Sequence, residues 1–569
     1  MSKVTIPTRS SDKKTFYFLI VWIILNVIQA SFMDLNEDEA YYWLYSKFLD
    51  FGYFDHPPMV ALFIKAGYAL FHNTLGLRLI SILASTISIF LLWQIVKEYS
   101  VKIALFIILF SSFLLFHVYG FISTPDSPLF FFSVLFFYCY QRYVRRYNFK
   151  WAFYLAIVVA CLLYSKYHGI LILLFTILSN LRLLKQPSFW FIVLLAFALY
   201  MPHIWWQIEH DLPSVGYHLF DRSAHPYQFA YTIEYIFGQI LIAAPLVGWY
   251  FFITGVKVKS EDLFTRSLKF TFYGIFIFFL ASTIKGRVEA HWTLIGFLPL
   301  FILIYIYLSR KNSIPKWLDR LMIANVILIV IMRLMIILPP PFIQELEIVK
   351  TYTGSNEWAK KIKEKAGENF VVFNKGFQDP SMYDFYNNTT KGFAYNSRYY
   401  RKTQFDIWPL EDSLRGKKVF FLQTDSHGAD VVQDSFVTVK GIYYGRWIEN
   451  VRLYQKVEIE MEKTSENWKP DEMRSVKIVI YNPDAEEINF SNDNQGWKCF
   501  FEYAYLHEGE ITEVNSLNNF LQYTIISGKS SKASNITIKA PSNTGKYKLI
   551  FSLRTEPFPG TRNSKMITV

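Results

Sequence analysis

Asp34-Leu-Asn-Glu-Asp-Glu-Ala-Tyr-Tyr-Trp43, followed by Gly52-Tyr-Phe-Asp-His-Pro-Pro-Met59, is the stretch on which the reading of this chain turns. Acidic residues crowd its start, aromatic residues follow at once, and a Pro-Pro pair closes it. Apolar runs flank it at about 15–33 and 77–96. A solvated acidic surface is the ordinary reading of such a short run. Here the acids abut the end of an apolar run. Tyr41, Tyr42, Trp43 and Tyr45 behind them suit an amphipathic helix lying in a membrane interface, which favours a site over a plain surface.

The apolar runs continue outward. Each of them approaches the length needed to cross a hydrocarbon core of about 30 Å. They stand at roughly 15–33, 77–96, 103–122, 128–143, 151–165, 168–184, 189–206, 230–254, 267–284, 292–308 and 321–338, which is eleven expected spans. Of the 569 residues, 52% are hydrophobic, 19% aromatic and only 18% charged, with a mean hydropathy of +0.21. These values exclude a disordered chain and point to a bilayer as solvent for part of it. The net charge of +12 does not indicate nucleic acid, because of where it lies. Residues 1–340 hold 28 Lys/Arg against 17 Asp/Glu, and residues 341–569 hold 30 against 29. The excess belongs to the apolar part, as in a membrane protein with basic loops. Three cysteines (Cys139, Cys161, Cys499) are too few for a disulfide framework. The first run is followed by acids rather than by a small-residue cleavage site, so it reads as a span and not as a signal peptide.

The cations set the expected orientation. Lys3, Arg9, Lys13 and Lys14 precede the first run, and alternate loops carry Lys97/Lys102, Arg142/Arg145/Arg146/Lys150, Arg182/Lys185, Lys257/Lys259/Arg266/Lys269 and Arg310/Lys311/Lys316/Arg320. By the positive-inside rule the amino terminus is cytoplasmic, and an odd number of spans puts the carboxy-terminal region outside. The acids gather on the opposite side, among them Asp34, Glu37, Asp38, Glu39, Asp55, Asp126, Asp221 and Glu289. Acids hardly affect insertion, so chemistry on the outer face is the candidate cause. The expected fold is therefore an α-helical polytopic membrane domain over 1–340, then an extracytoplasmic small α/β domain over 341–455 and an extracytoplasmic β-sandwich over 456–569. Ser355–Ala366 reads as a helix and 371–374 and 419–423 as strands. From about 470 the pattern alternates as strands and turns. No nucleotide-binding glycine loop, zinc spacing or GxSxG occurs.

An Asp-Glu pair (Asp38-Glu39) just after the first span, followed by Tyr53-Phe-Asp-His-Pro-Pro58, resembles the polytopic GT-C glycosyltransferases. More narrowly, it resembles the group joining protein O-mannosyltransferases to the aminoarabinose transferases of lipid A. The likeness runs over about 15–340 and includes Ser123-Thr-Pro-Asp-Ser-Pro128, Tyr164-Ser-Lys-Tyr-His-Gly169, Trp206 to Asp211, Tyr217 to Arg222, and Lys285-Gly-Arg-Val-Glu-Ala-His-Trp292 ahead of a span with a late Pro299. His56 stands where the family commonly has Lys, and the soluble tail lies outside the likeness.

The resemblance implies transfer of a sugar from a polyprenyl-phosphate donor to a lipid, glycan or protein acceptor on the outer face, with no nucleotide sugar and no nucleic acid involved. The expected location is a bacterial plasma (inner) membrane. It implies Asp38 as the carboxylate that deprotonates the attacking oxygen, with Glu39 holding neighbouring groups in place. Arg222, Lys285, Arg287, Lys166 and His56 are the cations for the departing lipid phosphate. Each has a plainer reading: Lys166 as a snorkelling residue, Lys285 and Arg287 as loop cations. Asp55, Asp126 and His291 are further candidates. Asp55, His56 and His291 would be the ligands of a divalent metal, although scattered groups of this kind are more often plain polar residues. Arg333, inside the last span, is either a snorkelling residue or a functional cation. His117 reads as a satisfied interhelical group. The rival class is a transporter or flippase for a lipid-linked substrate, which many spans would also fit. The one-sided carboxylates and the lack of an evident inverted repeat favour the enzyme.

Overall fold

A computed structural model of the chain describes residues 9–218, 227–374, 376–424, 434–462, 468–517, 520 and 525–569. It separates into two compact units, 1–353 and 354–569.

The first unit is helical: α1 (Arg9–Phe32), α2 (Glu37–Lys47), α3 (Met59–Tyr68), α4 (Thr74–Val96), α5 (Ile103–Ser112), α6 (Leu114–Val118), α7 (Asp126–Arg146), α8 (Phe149–Ser165), α9 (Gly169–Ser179), α10 (Pro187–Glu209), α11 (Pro213–Gly216), α12 (Phe229–Ala243), α13 (Gly248–Lys257), α14 (Leu263–Ser282), α15 (Leu294–Ser309), α16 (Lys316–Ile337) and α17 (Glu347–Thr351). Among the described residues, six helices are long and apolar enough to cross a membrane, or seven if the bent pair α12 and α13 is one span. The remaining four of the eleven expected runs are helical but short, broken or more polar: α5 with α6, α7, α8 and α9. α15 is buried over almost its whole length, and its run of Leu, Ile and Phe without a polar stripe suits a helix surrounded by others.

Two expected spans are interrupted. The 230–254 run bends by 93° between α12 and α13, where Pro245 can supply no N–H and cannot continue a helix. The 103–122 run breaks at Phe113. One side chain of α16 serves both breaks: Asn325 Oδ1 accepts the Leu246 N–H at 2.9 Å, and Asn325 Nδ2 donates to the Ser112 carbonyl at 2.9 Å. Irregular backbone at membrane depth is tolerated only where protein satisfies it, and Asn325 does so while fully buried.

The loop between the first two long helices is not an interfacial amphipathic strip. α2 buries every residue from Glu39 to Ser46, so Tyr41, Tyr42, Trp43 and Tyr45 lie inside the unit. Tyr45 stacks on Tyr53 at 3.8 Å between ring centroids, and Tyr41 and Tyr42 both meet Tyr45 edge-on. The membrane unit extends past α16: the Asp34 N–H donates to the Tyr352 carbonyl at 3.3 Å, tying the segment after the last long helix to the start of this loop.

The second unit begins with α18 (Ser355–Ala366) and a five-stranded sheet of β1 (Phe370–Phe373), β2 (Gly392–Ala394), β3 (Val419–Gln423), β4 (Asp434–Thr438) and β5 (Gly441–Ile448), in the order β2-β1-β3-β5-β4. β1 pairs in parallel with β2 and β3, and helix α19 (Gln378–Asn387) makes the crossover from β1 to β2. The rest is antiparallel. β6 (Glu458–Met461), β7 (Met473–Tyr481) and β12 (Ser531–Lys539) form one sheet; β9 (Cys499–His507), β10 (Glu510–Ser516), β13 (Lys548–Thr555) and β14 (Ile567–Thr568) form another, and β8 (Ile488–Asn489) pairs with β11 (Ile525–Ile526). Ile478, Ile480, Ile536 and Ile538 from the first sheet share a buried core with Phe501, Tyr503 and Phe551 from the second, as alternating strands in a sandwich require.

Candidate active site

The site is built on the start of α2. Asn36 caps the helix by accepting the Asp38 N–H at 3.0 Å, and Glu39 Oε2 accepts the Asn36 N–H at 3.1 Å, a reciprocal capping box. Glu39 also binds across the fold. Arg78 of α4 donates to it through Nε at 2.9 Å and Nη2 at 2.6 Å, and the Ser123 backbone N–H donates to Oε1 at 2.8 Å. Arg78 spends its remaining N–H groups on the carbonyls of Ala30 (3.2 Å), Met33 (2.8 Å) and Asp34 (2.8 Å). Neither side chain is exposed at all. A buried ion pair is tolerable when the surrounding groups satisfy it to this degree. The end of α1, the start of α2, α4 and the turn before α7 are thereby fixed to one point, and Asp38 sits half-buried beside it.

A second pair lies at the start of α7. Lys166, which ends α8, reaches both oxygens of Asp126 at 2.9 and 2.8 Å, and His291 Nε2 lies 3.8 Å from Asp126 Oδ2. Asp126 stands in the first turn of its helix, where a carboxylate is also favoured by the helix dipole. Asp55 accepts from the Tyr41 hydroxyl at 3.0 Å, and its backbone carbonyl is 3.0 Å from His218 Nε2. The His56 ring lies 5.8 Å from that of Tyr42 and 6.1 Å from that of His218. Tyr42 is the common neighbour. Burial first, and then the negative fields of Asp38, Asp55 and Asp126, hold its phenol well above the ordinary range, so it remains protonated.

Asp38, Glu39, Asp55, His56, Asp126, Lys166 and His291 therefore belong to one neighbourhood. Among the described residues no contact joins Lys285 or Arg287 to it: both are exposed, and Arg287 Nε approaches Glu234 at 3.7 Å in a pair more than half exposed on each side, which contributes little. Arg222 lies outside the described residues. Asp55, His56 and His291 do not converge on a point, and among the described residues no cluster of three or more His, Cys, Asp or Glu is placed to hold a metal ion. Arg333 does not snorkel. It is buried and bonds Gln29 Oε1 at 2.5 Å, Asn26 Oδ1 at 2.8 Å and His117 Nδ1 at 3.2 Å, while His117 Nε2 meets the Ser111 carbonyl at 2.9 Å. Sequence reasoning missed Arg78. Its signal is an arginine inside the apolar run at 77–96, a position where an ionisable residue is functional or paired by default.

The architecture and the site together define a polytopic membrane protein of the GT-C glycosyltransferase fold. Residues 55–206 match the family described as dolichyl-phosphate-mannose-protein mannosyltransferase, a stretch that contains Asp55, Arg78, Asp126 and Lys166. The crystal structure of ArnT from Cupriavidus metallidurans in the apo state is similar over 77% of this chain and 98% of its own, with a TM-score of 0.57 at 12% identity. The structure of ArnT from the same organism bound to undecaprenyl phosphate is similar over 76% and 98%, with a TM-score of 0.54 at 11% identity. No curated protein matches the sequence.

Proposed function

We propose that the protein transfers a hexosyl or pentosyl group from a polyprenyl-phosphate donor to a hydroxyl or phosphate of a lipid, glycan or protein acceptor on the extracytoplasmic face, with inversion at the anomeric carbon. The observation that carries this reading is the gathering of Asp38, Asp55 and Asp126 about Tyr42, with Lys166 and His291 on Asp126, in a membrane unit whose fold is that of ArnT. That an ArnT structure holds undecaprenyl phosphate supports the donor class.

In this reading Asp38 takes the proton of the acceptor oxygen as that oxygen bonds to the anomeric carbon. The bond from that carbon to the phosphate oxygen breaks, and the lipid phosphate leaves with the electron pair. Glu39 does not touch the reacting atoms; it holds Asp38 in place through Asn36 and Arg78. Lys166 and His56 stand in the cluster to meet the phosphate. Lys285 and Arg287 lie on the turn before α15, and with Arg222 they are the further cations assigned to the phosphate, since an arginine can grip two phosphate oxygens at once.

The test uses the purified full chain in nanodiscs, where no gradient exists, with a radiolabelled polyprenyl-phosphate sugar and a membrane extract as acceptor. Release of free polyprenyl phosphate together with a labelled acceptor is the expected result. No release, combined with movement of the labelled lipid between leaflets of proteoliposomes, would replace the enzyme by a flippase.

A further inference from the structure

Asp55 and His56 stand in a loop between α2 and α3 that has no helix or strand to fix it. Gly52 to Asp55 are buried all the same, so the polar groups of their backbone have to find partners. Side chains of α10 and α11 supply them. Trp206 Nε1 donates to Asp50 Oδ2 at 2.8 Å, and His203 Nδ1 lies 2.8 Å from the Phe51 carbonyl. The Ser214 hydroxyl lies 3.1 Å from the Tyr53 carbonyl and 2.8 Å from that of Phe54. The approach is close enough that a Cβ on Gly52 would come 2.4 Å from the Trp206 ring. The loop is therefore shaped from α10, with 152 residues between Phe51 and His203.

His203 has a second partner. Its Nε2 is 3.1 Å from the Tyr167 hydroxyl, which itself accepts from Gln207 Nε2 at 3.1 Å. These contacts fix the proton on the ring. A carbonyl can only accept, so Nδ1 carries the hydrogen. The ring is 1% exposed and meets no carboxylate among the described residues, so it is neutral, and Nε2 accepts from Tyr167. Tyr167 directly follows Lys166, whose ammonium is held on Asp126. One imidazole thus ties the turn that bears Lys166 to the loop that bears His56.

We propose that His203 is a positioning residue that sets the spacing between Lys166 and His56. These are the two groups that meet the lipid phosphate in the reading given above, on which this inference rests. A phosphate held from two sides needs both groups within hydrogen-bond reach at once, so their separation matters as much as their charge.

Full-length protein in nanodiscs is offered undecaprenyl phosphate or undecaprenol. Binding is read by native mass spectrometry, and hydrogen exchange is followed over 48–58, where the Tyr53 N–H bonds the His56 carbonyl at 3.2 Å. His203→Gln keeps a polar group near Nε2 and withdraws the Nδ1 donor. Exchange should rise, and affinity for the phosphate should fall about fivefold, the worth of one net hydrogen bond. His203→Asn keeps a donor near Nδ1 and should leave both close to wild type. Undecaprenol should bind all variants alike. Should His203→Gln not fold, Tyr167→Phe cuts the same link at its other end and should weaken phosphate binding to a similar degree. Faster exchange with unchanged phosphate affinity would reduce His203 to a brace of the fold, and an Asn variant as weak as the Gln variant would overturn the assigned proton. Wild type that binds the two lipids equally would sink the donor reading, and this inference with it. Wild type that prefers the phosphate, with variants that do not differ from it, would sink this inference alone.

Discussion

Replacing Arg78 by leucine removes the cation on which the Asp38-Glu39 turn is built. Five hydrogen bonds go with it, two to Glu39 and three to carbonyls at the end of α1 and the loop behind it. Glu39 then remains as a carboxylate with no exposure and, among the described residues, only the backbone N–H groups of Asn36 and Ser123 to hold its charge. Breaking a buried pair from one side typically costs about 3–5 kcal/mol, because the surviving charge is stranded. Two charge-assisted bonds at about 1.5–3 kcal/mol each give the same range. Unfolding can be followed with a thiol-reactive fluorophore, since Cys139 is buried in the membrane unit. Arg78→Leu should lower the midpoint strongly. Arg78→Leu combined with Glu39→Leu should recover a large part of the loss, because apolar replacement of both partners is often close to neutral. The double variant should still be inactive, as nothing then ties α2 to the Ser123 turn. A single variant within about 1 kcal/mol of wild type, or a double variant worse than the sum of the singles, would refute the account of this pair.

Asp38→Asn should leave expression and the thermal midpoint unchanged while lowering turnover about 10²–10⁴-fold in the donor-release assay, the usual effect of losing a general base. Arg287→Ala should weaken donor binding and lower kcat, with Arg287→Lys a partial rescue; unchanged values for both would leave Arg287 a surface residue. Membrane-impermeant thiol labelling in intact cells should tag single cysteines placed in 206–216 or in the tail but not in 142–150 or 310–320, and the reverse pattern would invert the orientation. In the second unit, burial raises the carboxyl of Asp384 well above its usual 3.8, opposed by N–H groups at Gly392 and Lys391. The folded state therefore favours the protonated form. Its contribution to stability is present below the unfolded value and is lost as pH rises through the folded one. Asp384→Asn should flatten this decline in the tail's unfolding midpoint above about pH 4; identical pH profiles for variant and wild type would count against it.

The parts of the site that the sequence disclosed are those where a charge lies at the edge of an apolar run. Asp38, Asp126 and Lys166 stand out because hydrocarbon makes an ionisable group costly, and only a partner or a task keeps it there. Their partners were not legible. Glu39 meets Arg78 and Ser123 across separations of 39 and 84 residues, contacts that only the packing of α2 against α4 and α7 defines. Composition also misplaced α2, since a run of tyrosines and a tryptophan reads alike whether it lies at an interface or, as here, inside the unit. Lys285 and Arg287 looked equal to Lys166 as cations near span ends, but Lys166 meets its carboxylate at 2.8 Å in a buried pair, whereas Arg287 approaches Glu234 at 3.7 Å in an exposed one. Strands and the helix of the tail were readable because alternation and local propensity act over a few residues; α18 falls on the expected 355–366.

The bridge made by Asn325 fixes an order of assembly. The breaks it serves, at Ser112 and at Leu246, are synthesised long before α16 emerges. Until that helix enters the bilayer, one carbonyl and one N–H stay without this partner in a medium that offers no water to replace it, at several kcal/mol for each unsatisfied group. A chain that stops short of residue 325 therefore carries two exposed polar marks at membrane depth, and α16 acts as the closing element that tells a finished bundle from an incomplete one.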